Sequence, residues 1–246
     1  MCGRFALTAT PGEVEAHFAM LDIARFPPRY NIAPTQPILM VVGGERPAPG
    51  SCLPGRHALL VRWGLIPSWV KDPRNFTLLV NARAETAAEK PSIRAAMRHR
   101  RALIPASGFY EWRRSGTGKP QPFWVRPRHG GVVAFAGLME TYLAADGSEI
   151  DTGAVLTAPA NGEFANIHHR MPVVIEPKDF SRWLDCRQHE PAAVADLLRP
   201  PDPGFFEAIP VSGRVNAVAN TAPDIQELVV EILEELPPPA AQLTLF

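Results

Sequence analysis

The sequence predicts one α+β domain built on a curled, barrel-like mixed β-sheet with short flanking helices. Short apolar runs of strand length recur at residues 4–7, 38–42, 58–63, 102–105, 109–112, 123–126, 132–139, 154–157, 173–175 and 205–211. Helical segments between them are few and irregularly placed, so there is no strand–helix–strand rhythm of the kind that builds a parallel sheet. The 246 residues include 27 prolines, which favours short elements joined by fixed loops. A chain of this length buries a sizeable core. The domain is expected to occupy residues 1–222, leaving 223–246 as a C-terminal helix and extended tail.

Taken in order, residues 4–7 read as a short strand, and Thr10-Pro11-Gly12-Glu13 is a capping box with proline at the first helical position. That signature predicts a helix over 11–21. Pro27-Pro28-Arg29-Tyr30-Asn31-Ile32-Ala33-Pro34 is rich in turn formers, and the runs 38–42 and 58–63 then form a hairpin around a loop at 43–55. Cys52 belongs to that loop. Trp63-Gly64-Leu65-Ile66-Pro67-Ser68-Trp69 ends the second strand in a rigid turn with two tryptophans, one of them a candidate for exposure. Ser92 is placed to cap a short basic helix at 93–101. Ser115-Gly116-Thr117-Gly118-Lys119-Pro120 resembles a phosphate loop only superficially, because Pro120 stands where a Ser or Thr would hold magnesium; it reads as a hairpin turn. Further helices are expected near 177–184 and 191–198, and 224–236 reads as an acidic amphipathic helix.

The zero net charge hides a division. Residues 1–128 hold 19 Lys and Arg against 8 Asp and Glu, whereas 129–246 hold 6 against 17. A basic half points to a polyanionic partner, although the two halves could instead pair with each other in one folded domain. Arginine supplies 21 of the 25 basic residues, and its planar fork suits bidentate phosphate contacts. Three widely spaced cysteines, Cys2, Cys52 and Cys186, argue against a disulfide framework and for a reducing compartment. No segment approaches the ~18 consecutive apolar residues of a membrane span and no basic-then-apolar leader opens the chain, so a cytoplasmic protein with no membrane partner is expected; it is also expected to be a monomer. The absence of paired cysteines, HExxH or a carboxylate cluster argues against a metal site despite His168-His169, and no cofactor is implied.

Four residues carry chemistry. Removal of Met1 needs a small second side chain, which Cys2 supplies, and would leave one residue bearing both an α-amine and a thiol. With unperturbed pKa values of about 7.7–8.0 and 8.5, both have a reactive fraction near neutrality. Such a 1,2-aminothiol condenses with an aldehyde to an imine, and the thiol closes the imine into a thiazolidine. The plainer reading makes Cys2 an ordinary small residue after the start codon. Glu111, within Gly108-Phe109-Tyr110-Glu111-Trp112, has apolar neighbours that would raise its pKa toward an acid–base role, or it faces solvent from a strand. Asn81 could orient a substrate or cap the next helix, and His168 could shuttle protons or be a satisfied loop histidine.

The order of these motifs resembles the SOS response-associated peptidase family of abasic-site DNA–protein crosslinking proteins. The matching stretches are 1–5, 29–34, 62–69, 81–85, 109–112, 134–140 and 167–173. The resemblance implies a single α+β domain that binds single-stranded DNA and links its N-terminal cysteine to the ring-opened sugar of an abasic site. It assigns Cys2 as nucleophile, Asn81 to position its amine, Glu111 to ring opening and His168 to protons around the imine. Arg4, Asn31, Trp69, Arg83 and Arg170 match positions that contact DNA or wedge beside the lesion. The family's name also implies a peptidase activity, which could be limited to removing Met1, and a lyase activity is conceivable at such a site. The loop 43–55 and everything after about residue 224 depart from the pattern.

Two other functions stand as alternatives: an N-terminal-nucleophile amidohydrolase of the glutamine amidotransferase type, which also begins Met-Cys-Gly, and a noncatalytic single-stranded DNA reader. The tail adds a partner. Gln242-Leu243-Thr244-Leu245-Phe246, projected by Pro237-Pro238-Pro239, resembles the glutamine-led pentapeptide that docks bacterial repair proteins on the sliding clamp. In that mode Gln242 sets register by hydrogen bonds, Leu245 and Phe246 anchor in an apolar pocket, and Leu243 is a further partner-binding residue; otherwise the tail folds back or frays.

Overall fold

The computed structural model describes residues 2–44, 55–114, 118–162 and 164–229. Among them the chain runs β1 (Phe5–Leu7), α1 (Pro11–Phe18), β2 (Arg29–Ile32), β3 (Pro37–Gly43), β4 (Arg56–Trp63), β5 (Asn81–Arg83), α2 (Arg94–His99), β6 (Arg101–Ala106), β7 (Gly108–Arg113) and β8 (Gln121–Pro127). It continues with β9 (Val133–Leu143), β10 (Glu149–Pro159), β11 (Arg170–Pro172), β12 (Val174–Ile175), α3 (Phe180–Leu184) and β13 (Phe206–Pro210). Residues 45–54 of the 43–55 loop, Cys52 among them, the turn at 115–117 and the tail from 230 lie outside the described residues.

Five strands close into a barrel in the order β10-β4-β3-β6-β9, with β9 returning to pair with β10. The β10–β4 ladder is parallel and the other four are antiparallel, which is the mixed curled sheet that the sequence predicts. Met40 of β3 fills the interior because Gly137 and Gly153 make room. A Cβ on Gly137 would come 2.8 Å from Met40 Cε, and one on Gly153 2.5 Å from Met40 Sδ. Strands β5 and β11 attach to β10 and β12 attaches to β9, while β13-β8-β7-β1-β2 form a second sheet. Among the described residues no helix is long and apolar enough to cross a membrane.

Several local expectations shift. The capping box forms as predicted, but α1 ends at Phe18 because Ala19 turns left-handed (φ 47°) and its N–H bonds back to Ala16 O. Ser92 does not cap α2. Ile93 takes that position without a side-chain cap, and Ser92 Oγ is buried with no hydrogen-bond partner among the described residues. Arg101 belongs to β6 instead of the preceding helix, and its buried guanidinium donates to the carbonyls of Trp183 (2.7 Å), Met97 (3.0 Å) and His189 (2.7 Å). The turn-rich 27–34 stretch contains β2, which pairs with β1. At the start of the predicted acidic helix, Pro223–Gln226 form a single 3-10 turn, and Leu228 then bridges to Val211. Ile225 is driven into a small core with Tyr110 and Trp124, and that burial sets the path.

Gly153→Ala should lower stability by about 1–3 kcal/mol through overpacking against Met40, read as a fall in the urea midpoint at unchanged slope. Gly12→Ala, where a Cβ meets nothing within 4 Å, should leave the midpoint level or raise it.

Candidate functional site

Cys2, Asn81, Glu111 and His168 come from four distant segments, and strand pairing assembles them. Cys2 precedes β1, which lies antiparallel to β7, with Tyr110 N–H donating to Arg4 O at 2.9 Å; Glu111 follows on the same strand. Asn81 opens β5, in register with Val155 of β10. His168 comes two residues before Arg170, which pairs with Pro159 of the same strand. Asn81 Nδ2 donates to Cys2 O at 2.8 Å, and His168 Nδ1 lies 3.9 Å from Glu111 Oε1. Asn81 therefore sits in a strand and its side chain reaches the N-terminal segment, in place of capping a helix.

Burial governs the electrostatics. Cys2 is fully buried, and desolvation together with the nearby Glu111 carboxylate pushes its thiol well above the usual range. Glu111 is 3% exposed, and burial raises its carboxyl above the ordinary carboxylate value. Burial lowers His168, favouring the neutral ring. Its Nδ1 lies 3.0 Å from Arg170 N and 3.1 Å from Arg170 O, so either tautomer of the ring finds a backbone partner there. Beside Cys2, the amide oxygen of Asn81 is buried and has no hydrogen-bond partner among the described residues. Such an orphaned acceptor is expensive unless a donor arrives. Among the described residues no three His, Cys, Asp or Glu side chains group in a way that could hold a metal ion.

The five residues expected at DNA divide into two sets. Trp69 is 58% exposed and packs edge-on against Phe76, and Arg83 is exposed at the end of β5. Arg4 is half-buried, bonded to Asn31 Oδ1 (2.7 Å) and Val215 O (2.9 Å), with its guanidinium 5.9 Å from the Trp112 ring. Asn31 is buried and its amide donates to Asn220 O at 2.8 Å, so it ties β2 to the loop after residue 213. Arg170 is buried as well, in a bidentate pair with Glu85 (Nη2–Oε2 2.9 Å). A cleft of about 610 Å³, lined by Gly43, Arg56, His99, Arg100 and Cys186, contains none of these residues.

A family model described as SOS response associated peptidase (SRAP) matches residues 1–218. The chain belongs to the SRAP family. It is 35% identical over 231 residues to the abasic site processing protein YoqW of Bacillus subtilis, covering 92% of this chain and 99% of that one. To YedK of Escherichia coli it is 32% identical over 193 residues, covering 75% and 79%. To HMCES of Gallus gallus it is 28% identical over 260 residues, covering 91% and 76%. The latter two are likewise named abasic site processing proteins. A crystal structure from Bacteroides thetaiotaomicron superposes with a TM-score of 0.81 at 23% identity, covering 93% of this chain and all of that one. One from Bordetella bronchiseptica gives 0.71 at 26%, covering 86% of this chain and all of that one.

Within this SRAP site, sequence inspection passes over Glu85, Thr157 and Trp112 as separate contributors. The charged Glu85 stands inside the Asn81-Ala82-Arg83-Ala84-Glu85 motif and was available as a signal, whereas Thr157 is legible only once β5, β10 and β11 are aligned.

Because the raised pKa of Glu111 penalises its ionised form, the wild type should lose stability relative to Glu111→Gln as pH climbs from the carboxylate range toward 8. Melting temperatures of both proteins at pH 5 and pH 8 test this; a constant difference would place the carboxyl in an unperturbed environment.

Proposed function

We propose that this SRAP protein binds single-stranded DNA at an abasic site and joins Cys2 to the ring-opened sugar as a thiazolidine, shielding the lesion. The observation that carries the reading is the Asn81 contact to Cys2: the amide nitrogen holds the Cys2 carbonyl, and the buried amide oxygen lacks a donor. Removal of Met1, a peptidase step confined to that bond, creates an α-amine on Cys2 that would supply one.

An abasic sugar is mostly a closed hemiacetal. Glu111, whose carboxyl burial raises above the ordinary carboxylate value, acts as the general acid: it donates a proton to the ring oxygen as the hemiacetal hydroxyl loses its own, and the aldehyde opens. The Cys2 amine attacks C1′, and the carbinolamine loses water with His168 as the proton carrier. The thiol then adds across the C=N bond: a C–S bond forms and the thiol proton moves to nitrogen. One water leaves overall and no redox change occurs. Strand cleavage by elimination, a lyase reaction, would also start from the imine, and ring closure shuts that route.

Exposed Trp69 serves as the wedge beside the lesion, and Arg83 with Arg4 faces the phosphates, while buried Asn31 holds Arg4 through its amide oxygen. The protein would act as a monomer in the cytoplasm on damaged nucleoid DNA. Its tail, through Gln242, Leu243, Leu245 and Phe246, would tether it to the bacterial sliding clamp and raise its concentration near exposed single strands.

Intact mass of the protein incubated with an abasic oligonucleotide should show loss of Met1 and an adduct equal to the two masses less one water. Cys2→Ala should give no heat-stable conjugate and Cys2→Ser at most a labile one; a stable Cys2→Ala conjugate would refute the thiazolidine. A peptide of residues 237–246 should bind purified clamp with a Kd on the order of micromolar, as for short linear motifs. Leu245→Ala with Phe246→Ala should abolish that binding and spare crosslinking, and a wild-type peptide that does not bind would remove the tether.

A further inference from the structure

His168 and His169 form a stack whose outer ring the crosslinking chemistry does not use. Their ring centroids lie 4.3 Å apart with the planes tilted by 31°. The inner ring is held in place: His168 N–H donates to Phe164 O at 3.1 Å, its Nδ1 meets the Arg170 backbone, and Glu111 Oε1 lies 3.9 Å from that nitrogen. The outer ring belongs to an exposed residue whose main chain is fixed, with Ala160 N–H donating to His169 O at 2.9 Å. His169 stands just before β11 on one edge of β10, and exposed Arg83 ends β5 on the other edge. The His168 ring foremost, with Arg170 and Arg83 adding to it, holds the His169 imidazole below the ordinary histidine value. Near neutral pH it is therefore an aromatic face more than a cation.

From this arrangement we infer that His169 is a strand-binding residue, whose exposed ring stacks on the nucleobase next to the abasic sugar. The role deepens the single-stranded DNA reading and rests on it. With C1′ held at Cys2 and His168, the adjoining base lies one nucleotide step further along the strand, about 3.4 Å in a stacked strand. The outer ring is offset from His168 by a similar distance, so the imidazole pair continues the stack where the lesion lacks a base. Histidine is among the side chains on which unstacked bases settle, and a ring already packed on its neighbour loses little freedom when the base arrives. Every base has a π-face, so this contact is tolerant of sequence, as a lesion-capturing protein requires.

The test measures binding to a single-stranded oligonucleotide that carries a tetrahydrofuran abasic analogue, which has no aldehyde to react. His169→Ala should weaken binding about fivefold or more, the low end for one base–aromatic stack, at an unchanged salt slope. His169→Phe should restore the wild-type Kd to within about twofold. Because His169 is exposed, both variants should melt with the wild type. Replacing the two nucleotides that flank the analogue by further analogues should erase the difference between wild type and His169→Ala, since the ring then has no base to meet. Equal Kd values for wild type and His169→Ala on the single analogue would overturn the inference, and so would a loss that persists on the triple analogue. A His169→Ala salt slope shallower by about 0.7 would also overturn it by marking a phosphate contact. An unchanged Kd with a slower saturated crosslinking rate would do the same by marking a proton carrier. A wild type that binds no single-stranded DNA defeats the binding reading and this role with it, whereas one that binds without crosslinking defeats the covalent chemistry alone, and the analogue series still decides the stacking.

Discussion

The geometry of the site depends on β10 changing partners along its length. Its first half pairs with β9 from Glu149 to Val155 and with β4 at Thr152 and Gly153, which closes the barrel. Beyond that point it leaves the barrel, taking β5 on one edge from Val155 to Thr157 and β11 on the other from Thr157 to Pro159. Thr152 secures the exchange: its hydroxyl donates to Glu140 O and accepts from Ile66 N–H, both at 3.0 Å, so the backbone groups freed where partners change stay satisfied. Asn81 and His168 hang from the two edges of this second half. Because Ala154 to Ala158 are all buried, their strand cannot shift without opening the core, and the site inherits that rigidity.

The charge division that suggests a polyanionic partner is partly neutralised inside the fold. Arg98 pairs with Glu190, Arg126 with Glu207 and Arg100 with Glu140, each a basic-half arginine meeting an acidic-half carboxylate. These pairs are substantially exposed on at least one side and contribute little to stability, but they lower the field that the arginine count would otherwise create. Among the residues expected at DNA, Trp69 and Arg83 stay exposed and Arg4 is half-buried, and none of the three belongs to these pairs.

Strand-length apolar runs made the barrel and the β3–β4 hairpin legible, because inward-facing residues such as Val61, Ile104 and Leu156 must be apolar whatever their neighbours. Three short strands were not legible. β2, β5 and β11 have three or four residues each, and they exist because a neighbouring edge recruits them, which propensity does not report. Cys2, Asn81, Glu111 and His168 were singled out as polar or reactive residues in suggestive contexts, yet their convergence follows from pairing partners spread over the whole chain. The difference between Arg83 and Arg170 was invisible too. Both are arginines beside the motifs, and only Glu85 and Thr157 decide that one is buried and held while the other stays exposed.

Burial of Cys2 looks adverse for a nucleophile, since a desolvated thiol beside Glu111 has almost no thiolate at neutral pH. The order of the proposed chemistry resolves this. Disulfide exchange and oxidation both begin from thiolate, so the resting site is protected from them. The amine reacts first, and the imine it forms, once protonated, puts a positive charge two atoms from the Cys2 Cβ. In a dry site a cation at that range acts far more strongly than in water, and it lowers the thiol's pKa at the moment when the adjacent carbon becomes electrophilic. The protein therefore needs no permanent base for Cys2. In the proposed crosslink the lesion itself would supply the charge that activates the sulfur, which would confine thiol reactivity to a lesion already bound through the amine.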